Sequence, residues 1–417
     1  MDLDRRDLLL GLGAAAVARW AHGAIPEGLG MSAHRAGADD FPRKADFSIP
    51  KGITYLNSAY THPMPNAVGA AIRDHITRRS EPGPTIGEGS ASLVRQVTND
   101  FAALINASPS EIAFIPNTST GENLITNGLG ITRFDGNVVT DAYHFDGSLL
   151  HLKELAKQGL DLRIVMPREN RIDLADMERV VDGKTKLMQL SLVSMYAGFQ
   201  HDLKKVCDLA HAHGAHVYAD ITQAVGAVPI DVRASGVDFC ACSSFKWLMA
   251  DFGLGFLYAR SELLDRVFTR PQWGYHSASD VDVHYPPFDP GPTPIGWTLK
   301  NDAAGHFEVG SHALGSLAAL GASLPYVRQL GVDKIEAWRQ PLLRKLESEM
   351  PRRGFTPASP AGSTSPIMTF AARDTTRAQQ QLERARVNVR VAPYWLRFSP
   401  SVFNDVADVD RALEALS

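Results

Sequence analysis

Cysteine is scarce in this chain of 417 residues: there are three, Cys207, Cys240 and Cys242, and none follows. So few make a poor disulfide framework, and Cys240 and Cys242 read as buried small hydrophobes. No apolar run approaches the roughly 20 residues that a membrane-spanning helix needs. No basic stretch with interleaved aromatics occurs, and a formal net charge of -4 gives no support for nucleic-acid binding. Internal repeats and long low-complexity tracts are absent as well. What remains is an ordinary globular composition, 44% hydrophobic and 21% charged, in a chain long enough to bury a substantial core. Small molecules are the expected ligands.

The N-terminus carries its own message. Asp4-Arg5-Arg6-Asp7-Leu8-Leu9-Leu10 runs into a short, weakly apolar, glycine- and alanine-rich segment, and Ala21-His22-Gly23 offers a small-x-small cleavage site. This pattern resembles a twin-arginine export signal over 1–23, which implies a periplasmic protein handed folded to the twin-arginine machinery. Residues 24–48 read as a linker or arm.

Further on, strands and helices alternate. Strands are expected at 53–58, 112–116, 137–140, 162–165, 187–192, 216–219 and 239–241, with helices at 67–79, 91–105, 119–128, 147–158 and 203–213. The Pro82-Gly83-Pro84 break separates the first two helices. Such alternation predicts an α/β fold with a large, mainly parallel sheet covered by helices over 49–295. A smaller C-terminal α+β domain, 296–417, is expected to hold helices at 314–330, 332–350 and 406–416 and strands near 366–370 and 387–391. The densest proline stretch, 286–294, reads as an irregular excursion near the boundary.

The chemistry concentrates around Lys246, in Cys242-Ser243-Ser244-Phe245-Lys246-Trp247. A lysine between aromatics, after small hydroxyl residues and before glycines, is placed for desolvation, which lowers an amine's pKa and makes it a Schiff-base nucleophile. That points to pyridoxal 5'-phosphate. The cofactor needs an amine for its aldehyde, a carboxylate for its pyridine nitrogen, and hydroxyls and amides for its phosphate. Lys246 and Asp220 meet the first two needs. The turn Asn117-Thr118-Ser119, opening a helix after a strand, is one phosphate candidate, and Ser243 is a second. Asp220 follows an apolar strand, where parallel sheets place their ligands. His201, His211, His213 and His216 do not make a metal site, since His211 and His213 diverge on a helix and Gly214 breaks the element before His216. No metal is expected.

These segments together resemble the class V aminotransferase group of fold-type I enzymes, which includes cysteine desulfurases, kynureninases and isopenicillin N epimerase-like proteins. The match is tightest from Leu187 to Arg260, where Asp220, Gln223, Ser243 and Lys246 fill the family's positions. Looser likeness runs from about Tyr55 to the C-terminus. The resemblance implies that Thr118 and Ser119 contact the phosphate and that His144 stacks on the ring, a place Tyr143 or Phe145 could take instead. It also implies that Arg397 grips a substrate carboxylate, and that Asn57 and Tyr60 border the substrate. In the same way Ser311, in Phe307-Glu308-Val309-Gly310-Ser311, reaches the phosphate of the opposite subunit of a homodimer. Phe245 and His306 depart from the pattern, standing where histidine and arginine are frequent.

The imine acidifies every bond to Cα, and the surrounding groups select the reaction. Cysteine desulfurases need a nucleophilic cysteine on a loop in the C-terminal half, and this chain has none there. The leading expectation is an exported, dimeric enzyme acting on the amino group or Cα of an amino acid or amino-acid-derived natural product, closest to isopenicillin N epimerase-like members. The alternatives are a lyase related to kynureninase or desulfurase, and a cofactor-binding relative that has lost catalysis.

Overall fold

The structure, a computed structural model, describes residues 41–81, 90–283 and 295–417. The expected export signal, the arm up to residue 40, the 82–84 break and the proline stretch 286–294 lie outside the described residues. All described residues fall within one unit, Ala36–Ser417.

Seven strands form the main sheet: β1 (Ile112–Ile115), β2 (Asn137–Asp141), β3 (Asp161–Val165), β4 (Thr185–Ser191), β5 (His216–Asp220), β6 (Phe239–Ser243) and β7 (Gly255–Ala259), in the order β1-β7-β6-β5-β4-β2-β3. Only β7 runs against its neighbours; the other pairs are parallel. Six strands therefore end at one edge of the sheet. Every residue of β1, β5 beyond His216, β6 and β7 is buried, as expected for strands covered on both faces. Being two apart on β6, Cys240 and Cys242 share a face and one core cluster; both are free thiols.

The covering helices include α1 (Asn66–Ser80), α2 (Ser90–Leu104), α3 (Thr118–Gly128), α4 (Asp146–Lys157), α5 (Leu203–Ala212) and α6 (Leu314–Leu330). Helix α3 starts directly after β1 because Asn117 caps it, its Oδ1 accepting the Thr120 amide at 2.9 Å. Gly121 lets α3 lie close against the sheet: a Cβ there would come within 2.8 Å of Ile115 and 3.1 Å of Ala241. Helix α6 belongs to the same body, since Leu317, Leu320 and Leu324 enter the large sheet's core cluster.

A second, four-stranded antiparallel sheet comprises β8 (Thr356–Pro357), β9 (Met368–Ala371), β10 (Arg390–Ala392) and β11 (Trp395–Phe398), ordered β8-β9-β11-β10. With α7 (Val332–Glu349) and α8 (Val406–Ala415) it encloses a separate core of Leu342, Leu346, Phe370, Leu396, Phe398 and Leu413. The chain's Thr54–Tyr55 segment pairs in parallel with Val387–Asn388, so the N-terminal segment is stitched to this smaller sheet. Several details differ from the expectations. The stretch 387–391 is split between two short strands, and β7, β11 and the antiparallel hairpin Ala278–Val283/Ile295–Leu299 were not anticipated. Strands of four to six residues leave too short a pattern to read. Phe41 and Phe47, at the end of the segment read as an arm, are buried with Met249, Tyr326 and Phe403. Among the described residues no helix is long and apolar enough to cross a membrane.

Candidate active site

The carboxyl ends of β1, β4, β5 and β6 converge on a cavity of about 200 Å³ lined by Asn117, Thr118, Ser119, Phe145, Ser191, Val193, Met195, Asp220, Thr222, Gln223, Ser243, Phe245 and Lys246. This is where ligands bind in parallel α/β sheets. Asp220 closes β5, with its Oδ1 accepting the Thr222 amide at 2.8 Å. Ser243 closes β6, and the chain then turns to carry Lys246 back over the same edge. Several contacts lock that turn. The Met249 amide donates to the Lys246 carbonyl at 2.8 Å, and the Trp247 Nε1 donates to Gln223 Oε1 at 2.9 Å. Gly226, at φ +84°, approaches so closely that a Cβ would sit 2.5 Å from the Trp247 carbonyl oxygen.

Three hydroxyls meet at the start of α3: Thr118 Oγ1 lies 3.0 Å from Thr222 Oγ1 and 2.9 Å from Ser243 Oγ. Beside them are the first amides of the helix, which have no partner within it. Donors and partial positive charge coincide there, a setting that suits a phosphate. At the other side, burial lowers the Lys246 amine to about 8, opposed by the Asp220 charge and assisted by Arg397. Such an amine exchanges protons near neutral pH. The donor set therefore fits pyridoxal phosphate: an amine and a carboxylate line one cavity, and hydroxyls with helix amides stand where a phosphate would rest.

The other expected residues are distributed unevenly. Gln223 lines the cavity but is also a brace, its Nε2 donating to the Ala59 carbonyl at 2.9 Å. His144 is fully buried with its Nδ1 2.9 Å from Ser191 Oγ and its Nε2 without a partner. Burial lowers its pKa, although Glu122, Asp220 and Asp141 push back, so it is neutral. Phe145 rather than His144 lines the cavity. Phe245 stacks on Phe252 at 4.1 Å between centroids, an apolar pair at the position that departs from the family pattern.

Arg397 comes from β11 and is buried. Its Nη1 donates to the Met195 carbonyl at 2.7 Å, while its Nε has no partner. Burial and the neighbouring Arg390 charge lower its pKa to about 10, so it remains a cation with donor capacity to spare. Asn57 and Tyr60 are not in this cavity. They line a second one of about 520 Å³ with Arg386, Asn388 and Arg390, where the Arg390 guanidinium lies 5.3 Å from the Tyr60 ring centroid. Ser311 is exposed and touches neither cavity; Tyr275 Oη donates to it at 3.4 Å. His306 is buried, 3.0 Å from Asp265 Oδ1, which an arginine reaching outward would not be.

Sequence reasoning missed Thr222, Ser191, Asp146 and Tyr196. Thr222 stands between two residues that it had singled out, and Ser191 pairs in register with Asp220; a systematic reading of strand ends would have found both. Asp146 and Tyr196 are joined only by folding, since Tyr196 Oη donates to Asp146 Oδ2 across 50 residues of sequence. Of the histidines weighed as ligands, His201 pairs with Asp141 at 3.1 Å and His211 with Asp238 at 2.8 Å. Among the described residues three metal-type side chains do meet at His276, Glu308 and His312, but Glu308 is engaged by the His312 Nε2 and the Phe114 amide, both at 2.8 Å.

Comparison with known proteins agrees with this geometry. The sequence model of the aminotransferase class-V family matches residues 54–393. A probable cysteine desulfurase of Methanothermobacter thermautotrophicus is 30% identical over 301 residues, which is 70% of this chain and 71% of the relative. A cysteine desulfurase of Klebsiella pneumoniae is 31% identical over 316 residues, 72% of this chain and 75% of the relative. In fold, the chain resembles the cystine C-S lyase C-DES in complex with its reaction product cysteine persulfide, with a TM-score of 0.76 at 21% identity over 88% of this chain and 97% of that one.

Proposed function

We propose that this chain, which belongs to the class V aminotransferase family and is a pyridoxal-phosphate-dependent enzyme, acts as a desulfurase-related lyase. It would break a bond at the β-carbon of an amino acid and release the leaving group to solvent or to a second small molecule. One observation carries the departure from a desulfurase proper. All three cysteines are buried, burial pushes their thiols well up, and none lines the cavity. A protein persulfide needs an accessible thiolate, and this chain offers none. The desulfurase relatives favour this lyase reading over the epimerase-like one drawn from the sequence.

Bound here, pyridoxal phosphate would supply an aldehyde for the substrate amine and an electron sink for the bond broken at Cα. Lys246 would hold the aldehyde and move the Cα proton, which its lowered amine suits. The Asp220 carboxylate would pair with the pyridine nitrogen and raise its pKa. Thr118, Ser119, Thr222 and Ser243 would hold the phosphate, Phe145 would flank the ring, and Arg397 would pair with the substrate carboxylate through its fork of donors.

The experiment is product analysis of the holoenzyme with cysteine, cystine and S-alkyl cysteines. Pyruvate and ammonia, with an equal amount of sulfide from cysteine, persulfide from cystine or thiol from an S-alkyl cysteine, support the lyase. Alanine with sulfur left on the protein would overturn the thiol-free reading, keto acid formed with amino transfer would restore an aminotransferase, and solvent deuterium at Cα without other products an epimerase. We further propose export through the twin-arginine pattern at Arg5-Arg6, tested by fractionation against an Arg5→Lys/Arg6→Lys variant. A homodimer is also proposed, because exposed Ser311 is available to a second subunit; sedentation by mass, as read in analytical ultracentrifugation, tests it.

A further inference from the structure

The substrate carboxylate and Cα have assigned partners in Arg397 and Lys246, but the reading above leaves the far end of the substrate without one. Asp146 and Tyr196 flank the cavity, each directly following a residue that lines it, Phe145 and Met195. Asp146 opens α4 next to Phe145, which lines the cavity, and its charge is felt at the Lys246 amine. Tyr196 follows Met195, the residue whose carbonyl holds Arg397, and its phenol feels the Arg397 charge. Tyr196 Oη donates to Asp146 Oδ2, and burial together with that carboxylate pushes the phenol's pKa up. The phenol therefore stays protonated and acts as a fixed donor.

An acidic residue in the first turn of a helix is often there to satisfy the helix dipole. Asp146 does something else as well, because its bonded partner is a side chain on a different element. That partner is itself held. The smaller sheet braces Tyr196 through the Thr369 hydroxyl, which donates to its carbonyl, and through Trp395, whose ring meets it edge-on at 6.2 Å. A carboxylate accepts about four hydrogen bonds. With one taken by Tyr196, the exposed Asp146 keeps acceptor capacity next to the cavity-lining Phe145.

We propose that Asp146, oriented by Tyr196, forms a subsite that selects amino-acid substrates carrying a cationic or hydrogen-bond-donating group at the end of the side chain. The inference rests on the amino-acid reading of the cavity, and deepens it by naming the substrate class. A distal ammonium would complete the pair, and a distal carboxylate would meet like charge.

The test is binding of lysine, norleucine and 2-aminoadipate to the holoenzyme, followed by the visible absorbance of the bound cofactor. None of the three carries a leaving group at Cβ, so the outcome does not depend on the lyase reading; failure of that reading shows in product analysis alone. Lysine should bind about tenfold more tightly than norleucine, the scale of one charge-assisted contact, and 2-aminoadipate more weakly than either. Asp146→Asn should bring lysine and norleucine within about threefold of each other, and Tyr196→Phe should narrow the gap partly while preserving its direction. Equal binding of lysine and norleucine by the native enzyme would overturn the proposal. So would an Asp146→Asn variant that keeps the full preference.

Discussion

The two sheets divide the work. The seven-stranded sheet is buried on both faces at its central strands and ends six strands at one edge, so the groups there sit on rigid backbone: Asp220 and Ser243 at strand ends, Thr118 at a capped helix start, Lys246 on a turn locked by Trp247 and Gly226. The four-stranded sheet contributes from its side chains alone, and what it contributes points outward from its own core: Arg397 toward Met195, Thr369 and Trp395 toward Tyr196. On the proposed function, the first sheet would hold the cofactor and the second would meet the substrate. Changes in one should therefore separate from changes in the other.

The largest effect belongs to the first sheet. Lys246→Ala removes both the covalent anchor and the proton carrier, and should lower turnover by at least about 10³-fold while leaving thermal unfolding close to native. Asp220→Asn should keep the cofactor bound but cost about 100-fold in turnover, on the scale of one preorganised electrostatic partner. An Asp220→Asn variant with native turnover would break the division at its centre.

The Lys246 amine also sets a pH signature. Its folded value of about 8 lies below its ordinary 10.5, so the neutral nucleophile grows with pH, is half formed at about 8 and is nearly complete about one pH unit above that. Cofactor attachment to the apoprotein should speed up about tenfold per pH unit below about 8 and then level off. In the window from about 8 to 10.5 the unfolded chain holds the extra proton, so apoprotein stability should rise with pH there and be lost as pH falls through 8. Stopped-flow absorbance and denaturant titrations read the two.

On the second sheet, Arg397→Lys keeps the charge but loses the fork. The expectation is about a tenfold rise in KM with cofactor affinity unchanged; a loss of cofactor instead would erase the boundary between the sheets. The smallest effect on turnover lies where the sheets meet. Burial holds His62 at about 4, between the Pro63 carbonyl and Ser401 Oγ. Its contribution to stability is complete above 6.5 and lost as pH falls toward 4. His62→Gln should flatten that acid limb in a denaturant titration.

The same division explains what was legible in the sequence. The parallel sheet could be read because its strands are apolar runs joined by helices with clear periodicity, and because Asp220, Gln223, Ser243 and Lys246 fall within one stretch of 27 residues, 220–246. The smaller sheet could not, since β10 and β11 are three and four residues long; Arg397 was found by resemblance, not by pattern. Asn57 and Tyr60 line a cavity separate from that of Lys246, which the sequence could not show, because which face of the N-terminal segment meets which sheet depends on its pairing with Val387–Asn388. Asp146 and Tyr196 had no signal at all. Each is unremarkable in its own segment, and only the approach of α4 to the loop after β4 makes them a pair.

Borohydride reduction of the holoenzyme followed by peptide mapping tests the central claim most directly. The account predicts a pyridoxyl group on the peptide containing Lys246 and on no other lysine. A label on a different lysine, or a reduced protein that carries none, would contradict it.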